Sequence, residues 1–201
     1  MRNKSYGEDY KLSPVDKFGV YLSLIKIHSI IRKIKEPINC LDLGCGYYAK
    51  TLYTISSYIE EGTGVDISIC EDLNSIKNLK LIESPIESAF DQLSSNHFNL
   101  IIMNSVIEHI SEPLIILRKV QEHLAEKGIL FINVPTWLGK PFLEFFAFKL
   151  GLIPSTEIDD HKTYYDKKDL WLLLIKAGFK PSKIEMNYHK FGLNLFCKII
   201  K

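Results

Sequence analysis

Leu41-Asp42-Leu43-Gly44-Cys45-Gly46 is the stretch whose reading decides the fold. Ile38 to Leu43 is a short apolar run broken by glycine, which predicts a buried strand. Residues 48–59 follow with a helical pattern, so the two glycines lie where a strand gives way to a helix. Glycines at that place permit left-handed turns and let a ligand approach the backbone. A second strand is predicted over Gly62 to Ile67, and Asp66 closes it, 20 residues after Gly46. An acid there can accept hydrogen bonds from both hydroxyls of a ribose. The unit therefore predicts a nucleoside-containing cofactor at the C-terminal edge of a sheet.

Working outward, residues 14–35 carry apolar side chains at helical spacing, Phe18, Leu22, Ile25 and Ile34 among them. Ser13-Pro14 signals the start of this helix and Pro37 ends it. A weaker helix over 70–77 and a strand over 79–82 come after the second strand. Phe98 to Met103 reads as a central parallel strand, and 113–125 as a helix between Pro113 and Gly128. Ile129 to Val134 is a strand, and Lys167 to Ala177 a helix closed by Gly178. Phe179 to Met186 and Phe191 to Ile200 are strands joined by only Asn187 to Lys190. That connection is too short for a parallel crossover, so the last pair is expected to be antiparallel. Alternating strands and helices predict an α/β protein, a mostly parallel sheet ending in an antiparallel strand.

The chain has 201 residues, 25 Lys+Arg against 24 Asp+Glu, and 46% hydrophobic residues. This fits one folded domain and removes any broad electrostatic case for nucleic acid. Cys40, Cys45, Cys70 and Cys197 form no C-x-x-C pair and no zinc spacing. They read as reduced thiols of a cytoplasmic protein. Met1 to Tyr10 is too polar for a secretory signal. The richest apolar run, Trp137 to Ile153, is interrupted by Lys140, Glu144 and Lys149, so no membrane span is expected.

Two cofactor classes fit the glycine loop. Gly44-Cys-Gly46-Tyr-Tyr-Ala49 satisfies a loose dinucleotide pattern. Asp42, two residues before Gly44, would repel a pyrophosphate and welcome the sulfonium and amino group of S-adenosylmethionine. A short-chain-type NAD(P) oxidoreductase could still cite Tyr164-Tyr-Asp-Lys-Lys168, a Tyr-x-x-x-Lys spacing.

Leu41 to Gly46 resembles the first motif of the class I S-adenosylmethionine-dependent methyltransferases, and Gly64-Val-Asp-Ile-Ser68 the second. Phe98 to Pro113 resembles the family's fourth strand and following loop, and Gly128 to Pro135 its fifth strand. Asp160 to Phe179 resembles the late helix with its Ala-Gly-Phe turn. The resemblance implies a Rossmann-like three-layer sandwich with a seven-stranded sheet. It implies that Asp42, Gly44 and Gly46 hold the methionine part of S-adenosylmethionine, Asp66 the ribose and Ile67 the adenine, with Asn104 lining the pocket. Two departures stand out: Tyr47 and Tyr48 replace the usual third glycine, where their bulk could narrow the methionine end or gate it. Ser84 or Pro85 falls where an acid often meets adenine, leaving Ile86 and backbone groups for that task.

His109, in a Glu-His pair just past a central strand, is the candidate catalytic base, or else it anchors the next helix; His161 is the candidate active-site histidine near the acceptor, or else a surface residue. Ubiquinone-biosynthesis O-methyltransferases and small-RNA 3′-end methyltransferases carry metal ligands in a Glu-x-x-Glu-His pattern. This chain reads Ser105-Val-Ile-Glu108-His109, with Asp160-His161-Lys162 later, so one ligand position is a serine and the preferred reading is without metal. Trp137, Phe142, Phe145, Phe146 and Phe148 crowd one segment after the fifth strand. It reads as a sheet cover or homodimer interface, an acceptor lid within 136–165, or an interfacial helix touching lipid. The leading expectation is O-methylation of a small-molecule acceptor, apolar or lipid-linked. A degenerate fold acting as a binding module is the non-enzyme alternative. Residues 1–36 would be an N-terminal helical extension.

Overall fold

The computed structural model describes residues 4–10, 12–95, 97–152 and 154–201. Parts of the predicted 1–36 extension (1–3 and 11) and of the aromatic segment (153) lie outside the described residues. Seven strands form one sheet: β1 Asn39–Leu43, β2 Glu61–Asp66, β3 Leu79–Glu83, β4 Phe98–Asn104, β5 Leu124–Pro135, β6 Ile184–His189 and β7 Asn194–Ile200. The order is β3-β2-β1-β4-β5-β7-β6. The first five strands pair in parallel, and β7 runs antiparallel to both β5 and β6.

The helices are α1 Pro14–Ile31, α2 Lys50–Ile55, α3 Ile86–Ala89, α4 Pro113–His123, α5 Lys140–Glu144, α6 Ser155–Asp159 and α7 Lys167–Lys176. The period-2 alternation of β4 sorts its side chains onto two faces. Leu100 and Ile102 join a cluster with Ile27 and Ile30 of α1 and Leu52 and Ile55 of α2. Ile101 and Met103 join the opposite cluster, with Ile116 and Val120 of α4 and Leu170 and Leu174 of α7. The molecule is thus three layers, helices on both faces of a sheet.

Several boundaries differ from the sequence reading. α1 stops at Ile31, because the Lys33 and Ile34 amides bond three residues back and tighten the chain into a turn before Pro37. The weak helix over 70–77 is a short 3₁₀ segment, Glu71–Ser75. The strand expected from Phe179 begins only at Ile184, since Pro181 opens a 3₁₀ turn. Gly128 does not close α4: β5 begins directly after His123, and an irregularity shifts its register between Phe98 and Leu100. A Cβ at Gly128 would lie 2.8 Å from the Ala125 carbonyl oxygen, so the glycine serves this irregularity.

Candidate functional site

In an open sheet, ligands bind at the strand C-termini where the strand order reverses. Here that point lies between β1 and β4, and a cavity of about 1300 Å³ opens there. It exceeds the ~300–1,000 Å³ usual for one small ligand.

The glycine loop forms its floor. The Gly44 and Cys45 amides donate to the Val65 carbonyl, tying the loop to the end of β2. Gly44 has φ +71°, and a Cβ there would lie 2.5 Å from Val106 Cγ2. Gly46 has φ +77° and packs under the Tyr6 carbonyl. Both positions demand glycine for conformation, and Gly44 also for space.

Asp42 lines the cavity yet is only 2% exposed. Its Oδ2 is buried with no hydrogen-bond partner among the described residues. Burial, then the charge of Asp66, pushes its carboxyl well above the usual carboxylate range. Asp66 is differently placed: its Oδ2 accepts from the Gly46 amide (2.8 Å) and its Oδ1 from the Ile67 amide (2.8 Å). An N-terminal strap reaches the same carboxylate. The Ser5 hydroxyl lies within bonding reach of Asp66 Oδ1 and the Ser68 carbonyl, and it accepts from the Ser68 amide. The Tyr47 amide bonds to the Tyr6 carbonyl, and Tyr6 and Gly7 line the cavity. Nothing in the sequence pattern signalled this strap.

Ile67, Ile86 and Asn104 also line the cavity, as does Tyr48, while Tyr47 does not. Asn104 Oδ1 accepts from the buried Asn133 side chain, so its orientation is held. Ser105, directly after β4, adopts φ +60°, a costly conformation for a residue with a Cβ.

Across the cavity, His109 Nδ1 meets Asp160 Oδ2 at 3.1 Å, and its ring packs edge-on against His161 at 4.7 Å. His161 Nδ1 meets the Tyr164 hydroxyl at 3.0 Å. The Lys162 amide donates to the Glu108 carbonyl at 2.7 Å, which pins the two distant segments together. Burial alone would raise the Asp160 carboxyl, but Lys162 and His109 outweigh it and hold it below its ordinary value. Asp160 therefore stays ionised beside the imidazole, the arrangement that orients a histidine base. Ligand atoms of Glu108, His109 and His161 all lie within 4.8 Å of one another, a cluster able to hold a divalent ion. The sequence reading found both histidines but assigned no role to Asp160.

Tyr164 corrects the oxidoreductase alternative. Burial, with Glu144 and Glu108, pushes its phenol up to about 12, the opposite of an activated tyrosine. Lys168 instead lines a separate surface hollow with Trp171.

The aromatic segment contributes Phe142, Leu143 and Phe146 to the cavity wall. Phe145, Phe148 and Leu150 are each about half exposed. Part of this segment, Phe145–Lys149, is a single π-helical turn. The last wall comes from Val15, Phe18 and Leu22 of α1 and from Lys190 between β6 and β7, which the sequence reading left unassigned.

The profile of the methyltransferase-domain family matches residues 21–183. No curated protein gave a significant match. Among solved structures, an S-adenosylmethionine-dependent methyltransferase from Archaeoglobus fulgidus superposes with a TM-score of 0.67 at 15% identity, covering 90% of this chain and 94% of that one. One from Mesorhizobium loti gives 0.65 at 12% identity, with 91% and 98% covered. The CurJ carbon methyltransferase gives 0.66 at 18% identity, with 95% of this chain and 56% of that one covered. The strand order, the glycine loop at its reversal and the family match agree: the chain belongs to the methyltransferase-domain family, within the class I superfamily that uses S-adenosylmethionine.

Proposed function

We propose that the protein methylates an oxygen of a small molecule with an apolar body. The observation that carries the cofactor half is Asp42, a buried carboxylate with an unpartnered oxygen beside the glycine loop. A pyrophosphate would add negative charge to Asp42 and Asp66, whereas a cationic ligand offsets it. The residues fit the cofactor: Asp42, Gly44 and Gly46 would hold its methionine part, Asp66 its ribose, and Ile67 and Ile86 its adenine, with Asn104 between. When bound, S-adenosylmethionine supplies an electrophilic methyl group on its sulfonium.

The preference for oxygen rests on the His109–Asp160 pair, since a hydroxyl acceptor must lose a proton and an oriented imidazole can take it. The fold does not choose the acceptor atom, as the CurJ enzyme acts on carbon. The pair also favours an enzyme over a binding module. His161, packed on the His109 ring, would sit beside the acceptor. Phe142, Leu143 and Phe146 on one side and Phe18 and Leu22 on the other support an apolar acceptor under a lid. The half-exposed Phe145 and Phe148 support a peripheral lipid contact over a homodimer seam, and liposome co-sedimentation unchanged in a Phe145→Ser/Phe148→Ser double variant would remove it. Among the described residues no helix is long and apolar enough to cross a membrane. Four free cysteines agree with a cytoplasmic setting. The chain is taken as one domain in which the N-terminal segment and the lid close over a shared site.

Replacing Asp66 with Ala should abolish S-adenosylhomocysteine binding, and retained binding would mean the ribose anchor lies elsewhere. In a methylation screen of phenols, quinols and lipid-linked acceptors, His109→Gln should cut turnover by about 10²–10⁴-fold while leaving cofactor affinity unchanged.

A second reading is favoured by the convergence of Glu108, His109 and His161. Nδ1 of each imidazole is held by an oxygen partner, as in many metal-bound histidines. Under it, Mn²⁺ or Zn²⁺ raises the melting temperature and Glu108→Gln removes the effect. No shift with either ion leaves His109 as a base alone.

A further inference from the structure

Lys190 is the feature of the cavity that the cofactor and the histidine pair leave unused. It sits in the β6–β7 connection, where Lys190, Phe191 and Gly192 have φ of +49°, +60° and +85°. Two consecutive residues with side chains in the left-handed region are uncommon, and such conformations persist where the surrounding structure demands them. Here the connection turns Lys190 into the cavity wall and leaves Phe191 almost fully exposed at its rim. Among the described residues the Lys190 ammonium has neither a hydrogen-bond acceptor nor an ion-pair partner. The neighbouring wall is α1, where a Cβ on Gly19 would lie 3.6 Å from Lys190 Nζ.

The other cations of the cavity differ. Lys162 is bonded to Asp160, Lys119 donates to the Glu87 carbonyl and covers the Phe90 ring, and Lys50 is exposed. Burial draws the Lys190 ammonium down to about 8, with Glu108 opposing. It stays mostly protonated at neutral pH, a partly buried cation. The acid that acts on it is Glu108, at the His109 end, and not Asp42 or Asp66 at the cofactor end.

A cation held in the cavity wall with no direct ion pair among the described residues, and with Glu108 acting on it only at a distance, fits a ligand that brings an anion into contact. Resting on the methyltransferase reading, we propose that Lys190 is the specificity residue of the acceptor half, and that the acceptor is an amphiphile with an anionic group, carboxylate or phosphate. Its anion meets Lys190, and its apolar body lies between Phe18 and Leu22 of α1 and Phe142 and Phe146 of the lid.

The test uses the full chain saturated with S-adenosylhomocysteine, and four probes of one chain length: octanoate, octyl phosphate, octanol and octyltrimethylammonium. Calorimetry should show one of the two anions bound at least about tenfold more tightly than octanol, the range of a charge-assisted bond. Which anion binds better separates a carboxylate acceptor from a phosphate one. Lys190→Met should erase the preference while keeping octanol affinity, and Lys190→Arg should keep part of it. Removing a partly buried ammonium that has no direct ion pair should leave the melting temperature of Lys190→Met equal or higher. In the wild-type protein, the favoured anion should protect Lys190 from amine acetylation and octanol should not, a reading that needs no variant. Equal binding of octanol, a preference for octyltrimethylammonium, or no binding by any probe overturns the proposal. So does a tenfold loss of S-adenosylhomocysteine affinity in Lys190→Met, which would place the lysine on the cofactor. Failure of the wild-type protein to bind S-adenosylhomocysteine would instead sink the methyltransferase site, whatever the anion preference.

Discussion

Asp42 is a buried carboxyl with an unpartnered oxygen, and that costs the folded protein stability. Its folded-state pKa lies above the unfolded one because of burial and Asp66, so its ionised form is disfavoured by folding. The sign follows: relative stability is fully present below the unfolded carboxylate value and is lost as pH rises through the folded one. Asp42→Asn should therefore raise the melting temperature of the ligand-free protein at pH 7, by about 1 kcal/mol or about 2–4 °C. The gap should close as pH falls toward 4, and S-adenosylhomocysteine affinity should drop at least about tenfold by calorimetry. Ser5 makes the reverse case. Its hydroxyl competes for the carboxylate that a ribose would use, so Ser5→Ala should tighten S-adenosylhomocysteine binding by a few-fold. Unchanged or weaker binding would show that the strap covers the ribose instead of competing with it. Asp42, Asp66 and the glycines were legible because they lie in or directly after the C-terminal ends of β1 and β2 at fixed spacing. Ser5 and Asp160 were not, since their partners lie far away in sequence: Ser5 sits 61 residues from Asp66 and His109 sits 51 from Asp160. Lys190 was not, because only the β6–β7 turn brings it to the cavity wall.

At the scale of elements, the apolar side chains that recur along α1 fall into two groups with different surroundings. Ile27, Ile30 and Ile31 are buried against the sheet, while Phe18 and Ile25 are about half exposed and Val15, Phe18 and Leu22 border the cavity. Helical periodicity reports that a face is apolar, but not whether protein or ligand covers it. Ile27→Ala should cost about 2–5 kcal/mol in denaturant unfolding through loss of packing. Phe18→Ser should cost little stability and weaken octanol binding instead. A loss in Phe18→Ser as large as that in Ile27→Ala would make the second group part of the core. The glycine loop is held more tightly than its spacing alone conveyed. Gly44→Ala combines a left-handed conformation with a 2.5 Å approach to Val106 and should cost about 2–4 kcal/mol in the same experiment. Strand ends were the least legible: Pro181 and the left-handed Lys190-Phe191-Gly192 turn shorten β6 and β7 at their starts, where β propensity alone favoured extension.

For the whole molecule, sheet order turns separate signals into one site. The reversal between β1 and β4 gathers the ends of β1, β2, β4 and β5 around one cavity, and Asn194 at the start of β7 joins its lining. S-adenosylhomocysteine at 100 times its Kd should stabilise the protein by about 2.7 kcal/mol, and NADH should not shift its melting temperature. The opposite pattern would reverse the cofactor assignment. While the family resemblance implied the three-layer sandwich, the sequence by itself determined the α/β class, the antiparallel end of the sheet, the glycine loop and the acids beside it. These depend on short-range periodicity, on turn chemistry and on connection length, all carried by neighbours along the chain. The tertiary structure alone decided that Asp160 meets His109, that Ser5 engages Asp66, and that Lys190 enters the cavity wall. Those pairings are made by strand order and by segments crossing over the strand ends, and no local pattern in the chain encodes which distant residue arrives there.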